Sequence, residues 1–219
     1  MKSRHAAALA PERRSAQLRL GVRLEAITVV WNIAEGIIAV TAGMLAGSTA
    51  LLAFGIDSFV ETASGAIVGW RLVDEIRNRA EHRAEQVERL TSRIAGLLLL
   101  ALAIYIAVDS AVRLLGMSPR PQESLMGIAV TAVSLVVMPL LGRAKLRCAG
   151  VIGSAALRAD AYETIACAWL SGTALIGLGM NAAFGWWWAD PLAAVVLIPL
   201  IVREGWEGLS AGGEHHHAD

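Results

Sequence analysis

The chain is predicted to be an all-α membrane protein with six transmembrane helices, and three observations predict it. Its 219 residues are 56% hydrophobic and 17% charged, with a mean hydropathy of +0.56, too apolar for an ordinary water-soluble domain. The apolar residues come in long blocks instead of amphipathic stripes. Lys and Arg gather beside alternate ends of those blocks, which is the positive-inside pattern of a chain that crosses a bilayer repeatedly.

Residues 1–23 form a basic leader with Lys2, Arg4, Arg13, Arg14, Arg19 and Arg23. No apolar core precedes a cleavage site, so the leader is expected to stay in the cytosol uncleaved. A membrane helix needs ~20 mostly apolar residues, and six stretches supply them, at roughly 24–46, 49–72, 94–115, 124–141, 149–178 and 186–203. Together they make residues 24–203 a single transport domain. Between the second and third spans, DEIRNRAEHRAEQVERLTSR (74–93) mixes both signs at helical spacing and reads as a solvated helical extension of either neighbour. The fourth and sixth spans are short and carry Pro139 and Pro199, where a kink or local unwinding is expected. Asp190-Pro191 reads as an N-cap followed by proline at the first helical position of the sixth span. Residues 204–219 are expected to form a short cytosolic tail, with no room for a soluble domain.

Orientation follows from the short loops. The leader, the segment from Arg71 to Arg93, and the Arg143, Lys145, Arg147 group between spans four and five are all basic. The opposite side carries only Arg113 and Arg120. Both termini are therefore expected in the cytosol, and the chain in a cell's inner (plasma) membrane. Trp186, Trp187 and Trp188 fit an interfacial aromatic belt on the outer face. The formal net charge of +0 gives no ground for a nucleic-acid partner. Two cysteines, Cys148 and Cys167, lack the spacing of a metal finger or disulfide framework.

The chemistry lies in a repeat. GSTALLAFGIDSFVETASG from Gly47 meets GSAALRADAYETIACAWLSG from Gly153 when shifted by 106 residues. Gly47, Ser48, Ala50, Leu51 and Ala53 then fall on Gly153, Ser154, Ala156, Leu157 and Ala159, Asp57 falls on Glu163, and Glu61 falls on Cys167. The copies occupy spans two and five, which run in opposite directions. This is the trace of an inverted repeat, whose site is expected near the midplane. Residues four apart share one face of a helix, so Asp57, Glu61, Glu163 and Cys167 can present four ligand groups to one point. Carboxylates in hydrocarbon are costly, and no Lys or Arg lies in the middle of spans two or five. A bound divalent cation, or protons in its absence, supplies the missing positive charge most simply. Ser48, Ser58, Ser64, Thr62 and Thr164 read as polar glue between helices.

At these residues the chain resembles the cation diffusion facilitator family of metal/proton antiporters. The resemblance rests on GSTALLAFGIDSFVE and SAALRADAYETIAC, with weaker support from DSAVRLLGMSPRP and ADPLAAVVL. It implies a tetrahedral site for Zn²⁺ or a similar ion built from Asp57, Glu61, Glu163 and Cys167, and a homodimer through the membrane domain. Glu163 stands where the family usually has His or Asp, and Cys167 where it has a second Asp, so the metal preference departs from the usual one. The family's cytosolic ferredoxin-like domain is not expected here.

Secondary candidates each have two or more readings. Glu35, with Asn32, is either an additional metal or proton site or a hydrogen-bonded structural group. Asp160 either reaches the ion, pairs with Arg158 or caps its helix. Asp109 and Arg113, four apart, are expected to form an ion pair. Cys148 is placed at the cytosolic rim. His82 and the tail residues His215, His216 and His217 are weak candidates for collecting metal.

The function expected is export of a divalent transition metal by alternating access coupled to proton entry. A thiolate among carboxylates argues for Zn²⁺ first, then Co²⁺, Cd²⁺ or Fe²⁺, while the carboxylate majority keeps Mn²⁺ and Fe²⁺ export in play. Membrane carboxylates would also suit a proton-coupled exporter of small organic cations. A non-transporting accessory subunit would need the repeated pairs only for packing. No nucleophile–base pair, phosphate loop or nucleotide motif points to an enzyme or a resident cofactor. The partners expected are the lipid bilayer, the metal and protons.

Overall fold

The computed structural model describes residues 11–77 and 82–210. Among them lie six helices and no strand: α1 (Pro11–Ala46), α2 (Thr49–Ile76), α3 (His82–Leu114), α4 (Leu125–Ile152), α5 (Ala155–Phe184) and α6 (Ala189–Ser210). The first five are long and apolar enough to cross a membrane. Helix α6 carries Asp190, Arg203, Glu204 and Glu207 within its 22 residues and has the shortest apolar run.

The repeated Gly-Ser pair builds the same joint twice. Gly47 and Gly153 adopt φ of +62° and +76°, the left-handed conformation that ends a helix and that glycine enters without steric cost. The serine that follows caps the next helix. Ser48 Oγ accepts from Leu51 N at 3.1 Å, and Ser154 Oγ accepts from Leu157 N at 3.2 Å. These tight joints make α1 and α2, and likewise α4 and α5, antiparallel neighbours with extensive contact.

Helices α2 and α5 begin at opposite ends of the bundle. Leu157, in the first turn of α5, packs in a cluster with Val68 and Leu72 near the end of α2. Leu51, in the first turn of α2, and Leu178, late in α5, both close on Gly127. The antiparallel pair is thus fixed by packing at both ends. Helix α2 also touches α1, α3 and α6, so its ligand face lies inside the bundle.

Several elements differ from the sequence expectation. Helix α1 begins within the basic leader, and its first turns are tied to α2 by Arg14 and Glu75 at 2.6 Å. Helices α4 and α6 run without interruption through Pro139 and Pro199, which membrane helices tolerate because neighbours re-satisfy the freed backbone groups. Arg143, Lys145 and Arg147, expected in a loop, all lie in α4. Arg143 and Arg147 are exposed, whereas Lys145 is fully buried. The stripe Gly127, Thr131, Ser134, Met138, Gly142 is the buried face of α4, and the same three- and four-residue spacing carries it onto Lys145. Cys148, near the end of α4, is buried against the first turns of α1, and its Sγ donates to Gln17 O at 3.2 Å.

Asp190 does not cap its own helix. It lies inside the first turn of α6, accepts from the backbone N of Thr49 at 3.0 Å and receives the hydroxyl of Ser48. An anion at the start of α2 complements the positive end of that helix dipole. Asp109 pairs with Arg113 at 2.7 Å as expected, and it also receives the hydroxyl of Thr49. This end of α2 is therefore bound to both α3 and α6.

Candidate functional site

The buried face of α2 holds Asp57 and Glu61, one turn apart. They are 6% and 5% exposed, in a helix that supplies no countercharge between Thr49 and Trp70. Neither buried oxygen of Glu61 has a hydrogen-bond partner. Across from Glu61 stand Thr164 and Cys167 of α5, with Cys167 1% exposed. Asp57 lies within electrostatic range of Glu61, Glu163 and Glu35, and also of Glu204 on α6.

Glu163 is placed differently from its three proposed companions. Its residue is exposed, and its Oε2 accepts from Ser64 Oγ at 2.7 Å. Glu61 and Cys167 are thus brought face to face, Asp57 sits a turn away, and Glu163 is turned toward Ser64. Among the described residues no three His, Cys, Asp or Glu side chains stand close enough to hold a metal ion. Phe59 and Tyr162, the aromatic residues next to the ligand positions in sequence, are exposed at 40% and 60% and do not line this face.

Glu35 and Asn32 occupy the adjoining face of α1. Glu35 is saturated with donors: Trp31 Nε1 at 2.6 Å, Ser58 Oγ at 2.8 Å, and the hydroxyl of Ser134. Asn32 is fully buried, and neither its Oδ1 nor its Nδ2 has a partner. His82 begins α3, but its side chain lies outside the described residues, as do His215, His216 and His217.

Asp160 pairs with Lys145 at 2.5 Å, and not with its exposed neighbour Arg158. Lys145 also stands 2.9 Å from Glu25 Oε2 and donates to Thr164 Oγ1 at 3.2 Å. The positive charge absent from the middle of α2 and α5 thus arrives from α4. Sequence reasoning missed Glu25, Lys145 and Glu204. Glu25, Thr28, Asn32 and Glu35 are all buried along one face of α1, a polar stripe at spacings of three and four that could have disclosed Glu25. Glu204 gave no such signal, since it lies beside Arg203 at the end of an apolar run.

Comparison with known proteins agrees with this architecture. The pattern of the cation efflux transmembrane domain matches residues 26–212. An uncharacterized transporter, sll1263, of Synechocystis sp. is 30% identical over 157 residues, 69% of this chain and 49% of that protein. The cation-efflux pump FieF of Shewanella oneidensis is 25% identical over 184 residues, 80% of this chain and 61% of that pump. The chain thus spans about half to three fifths of the length of these relatives. With a domain match that takes in α2, α5 and every residue of the α2–α5 face, the chain belongs to the cation efflux family.

Proposed function

We propose that the protein exports a divalent transition metal from the cytosol, Zn²⁺ first, by proton antiport through Asp57, Glu61, Glu163 and Cys167. The observation that carries this reading is Glu61, a buried carboxylate that faces the buried thiol of Cys167 across two antiparallel helices. A carboxylate buried in a membrane interior is costly, and a cation bound beside it lowers that cost. Glu163 completes the ligand set when its carboxylate leaves Ser64. A relative named as a cation-efflux pump supports the direction of transport. The thiol favours Zn²⁺, Co²⁺ or Cd²⁺ over the harder Mg²⁺ and Ca²⁺, and the carboxylates keep Mn²⁺ and Fe²⁺ within range.

The ligands bind metal only when deprotonated, so metal release and proton uptake are linked. In the proposed cycle the site loads facing the cytosol and releases outward, where proton activity is higher. The basic ends of α1, α2 and α4 support cytosolic termini in a plasma membrane, and the repeated Gly-Ser joints support an inverted repeat. A homodimer through the membrane helices is part of the same proposal.

Export of a small organic cation is less favoured, because Phe59 and Tyr162 are exposed at 40% and 60% and so enclose no aromatic cavity for such a cargo. The deciding experiment is Zn²⁺ flux into proteoliposomes for the wild type, Asp57→Ala and Glu61→Gln. Loss of flux in both variants, with folding retained, is expected. Normal flux in both would place the transport site elsewhere.

A further inference from the structure

Lys145 stands out among the described residues as a buried ammonium. Its side chain is wholly buried, with Glu25 at 2.9 Å from α1 and Asp160 at 2.5 Å from α5, both also buried. Two carboxyl groups thus converge on one ammonium. Pairing also leaves atoms over, because Glu25 Oε1 and Asp160 Oδ1 are buried without a hydrogen-bond partner. A salt bridge that served only to hold helices together would need one carboxylate, and each further buried group adds a desolvation cost.

The cluster sits beside the ligand face. A Cβ at Gly65, one turn along α2 from Glu61, would lie 3.0 Å from Glu25 Oε2 and 3.7 Å from Asp160 Oδ1. The missing side chain therefore leaves room for both carboxylates next to α2. Thr164, whose hydroxyl accepts from Lys145, also faces Glu61. The cluster lies toward the end of α2 and the start of α5, the side proposed as cytosolic.

We propose that Glu25, Asp160 and Lys145 form a second cation position next to Glu61, in which the Lys145 ammonium is a tethered occupant standing where a divalent cation can bind. The donor set is all oxygen, which suits Mn²⁺ before Zn²⁺. A tethered ammonium is an intramolecular competitor for that position, so a divalent ion enters only by displacing it. The position is distinct from Asp57, Glu61, Glu163 and Cys167, and its cargo class rests on the divalent-metal reading given above.

The test is metal stoichiometry by equilibrium dialysis of the full chain in detergent, with Zn²⁺ and Mn²⁺ as separate probes. Lys145→Gln is expected to bind about one more equivalent than the wild type, and Lys145→Gln/Glu25→Gln to return to the wild-type count. Lys145→Arg keeps the charge and should also keep the wild-type count. Equal stoichiometry in wild type and Lys145→Gln would overturn the proposal. If Lys145→Gln is unstable without metal, Zn²⁺ should raise its thermal transition more than that of the double variant. Instability that neither ion relieves also overturns it. A wild type that binds neither metal sinks the transport-site reading instead, and the comparison of Lys145→Gln with wild type still decides the second position.

Discussion

At the residue scale, Cys167 is the side chain with the most specific consequence. It is buried against Glu61, and a thiolate is the softest of the proposed ligands. Cys167→Asp should therefore still transport but shift preference from Cd²⁺ and Zn²⁺ toward Mn²⁺ or Fe²⁺. Competition binding across these ions checks it, with Cys167→Ser as the neutral comparison, and unchanged selectivity in both removes Cys167 from the site. Ser64 offers a second prediction. Its hydroxyl holds Glu163 Oε2 at 2.7 Å, and in the proposed site that bond competes with the metal for the carboxylate. Ser64→Ala should bind Zn²⁺ more tightly by about fivefold, the worth of ~1 kcal/mol for one hydrogen bond, in a direct titration; weaker binding would make Ser64 part of the binding machinery instead. Asp57, Glu61 and Cys167 were legible because a four-residue spacing places groups on one helical face whatever the tertiary structure. Lys145 was not legible in the same way. Its neighbours Arg143 and Arg147 are exposed, so a local charge count reads a loop, and only the small-residue stripe of α4 turns Lys145 inward.

At the scale of elements, the repeated Gly-Ser joint separates local chemistry from tertiary chemistry. Ser48 and Ser154 make the same cap on α2 and α5, but their surroundings differ. Ser154 is half-buried, whereas Ser48 is fully buried and its hydroxyl also donates to Asp190 of α6. Ser154→Ala should cost about 1 kcal/mol, the usual value of a cap. Ser48→Ala should cost about 2–3 kcal/mol, because it also removes a donor from a buried carboxylate. Thermal unfolding of both variants in the same detergent checks the order, and equal losses would mean that the Ser48–Asp190 contact contributes nothing. The six helices were legible from hydropathy, but their ends were not. The run 149–178 crosses the joint at Gly153, since Val151 and Ile152 before it are as apolar as the helix after it. Asp190-Pro191 reads locally as a cap, and only the position of α2 reveals that the carboxylate serves another helix.

At the scale of the whole molecule, polar contacts bind the helices at both ends of the bundle, besides the central group in which Glu35 of α1 joins Ser58 of α2 and Ser134 of α4. Ser48, Thr49, Asp109, Arg113 and Asp190 join α2, α3 and α6 near the start of α2. Glu25, Lys145 and Asp160 join α1, α4 and α5 toward its other end. Asp57, Glu61 and Cys167 lie between these networks, buried where water and bulk ions do not screen them. Proton coupling through such a site has a definite sign. A divalent ion binds the deprotonated carboxylates and thiol, so protons and metal compete, and binding should weaken as pH falls through the range in which those groups protonate. Affinity should then level off at high pH, once no ligand proton remains to be displaced. The same competition predicts that Zn²⁺ binding to purified protein releases protons in a weakly buffered solution. An acidic interior in proteoliposomes should likewise draw Zn²⁺ inward when the site loads from the outside medium. Glu61→Gln removes one protonating ligand, so the proton release per bound ion should fall by about one and the pH dependence should flatten. Flat affinity from neutral to mildly acidic pH in the wild type would rule out ligand protonation as the releasing step and leave membrane potential as the driving force.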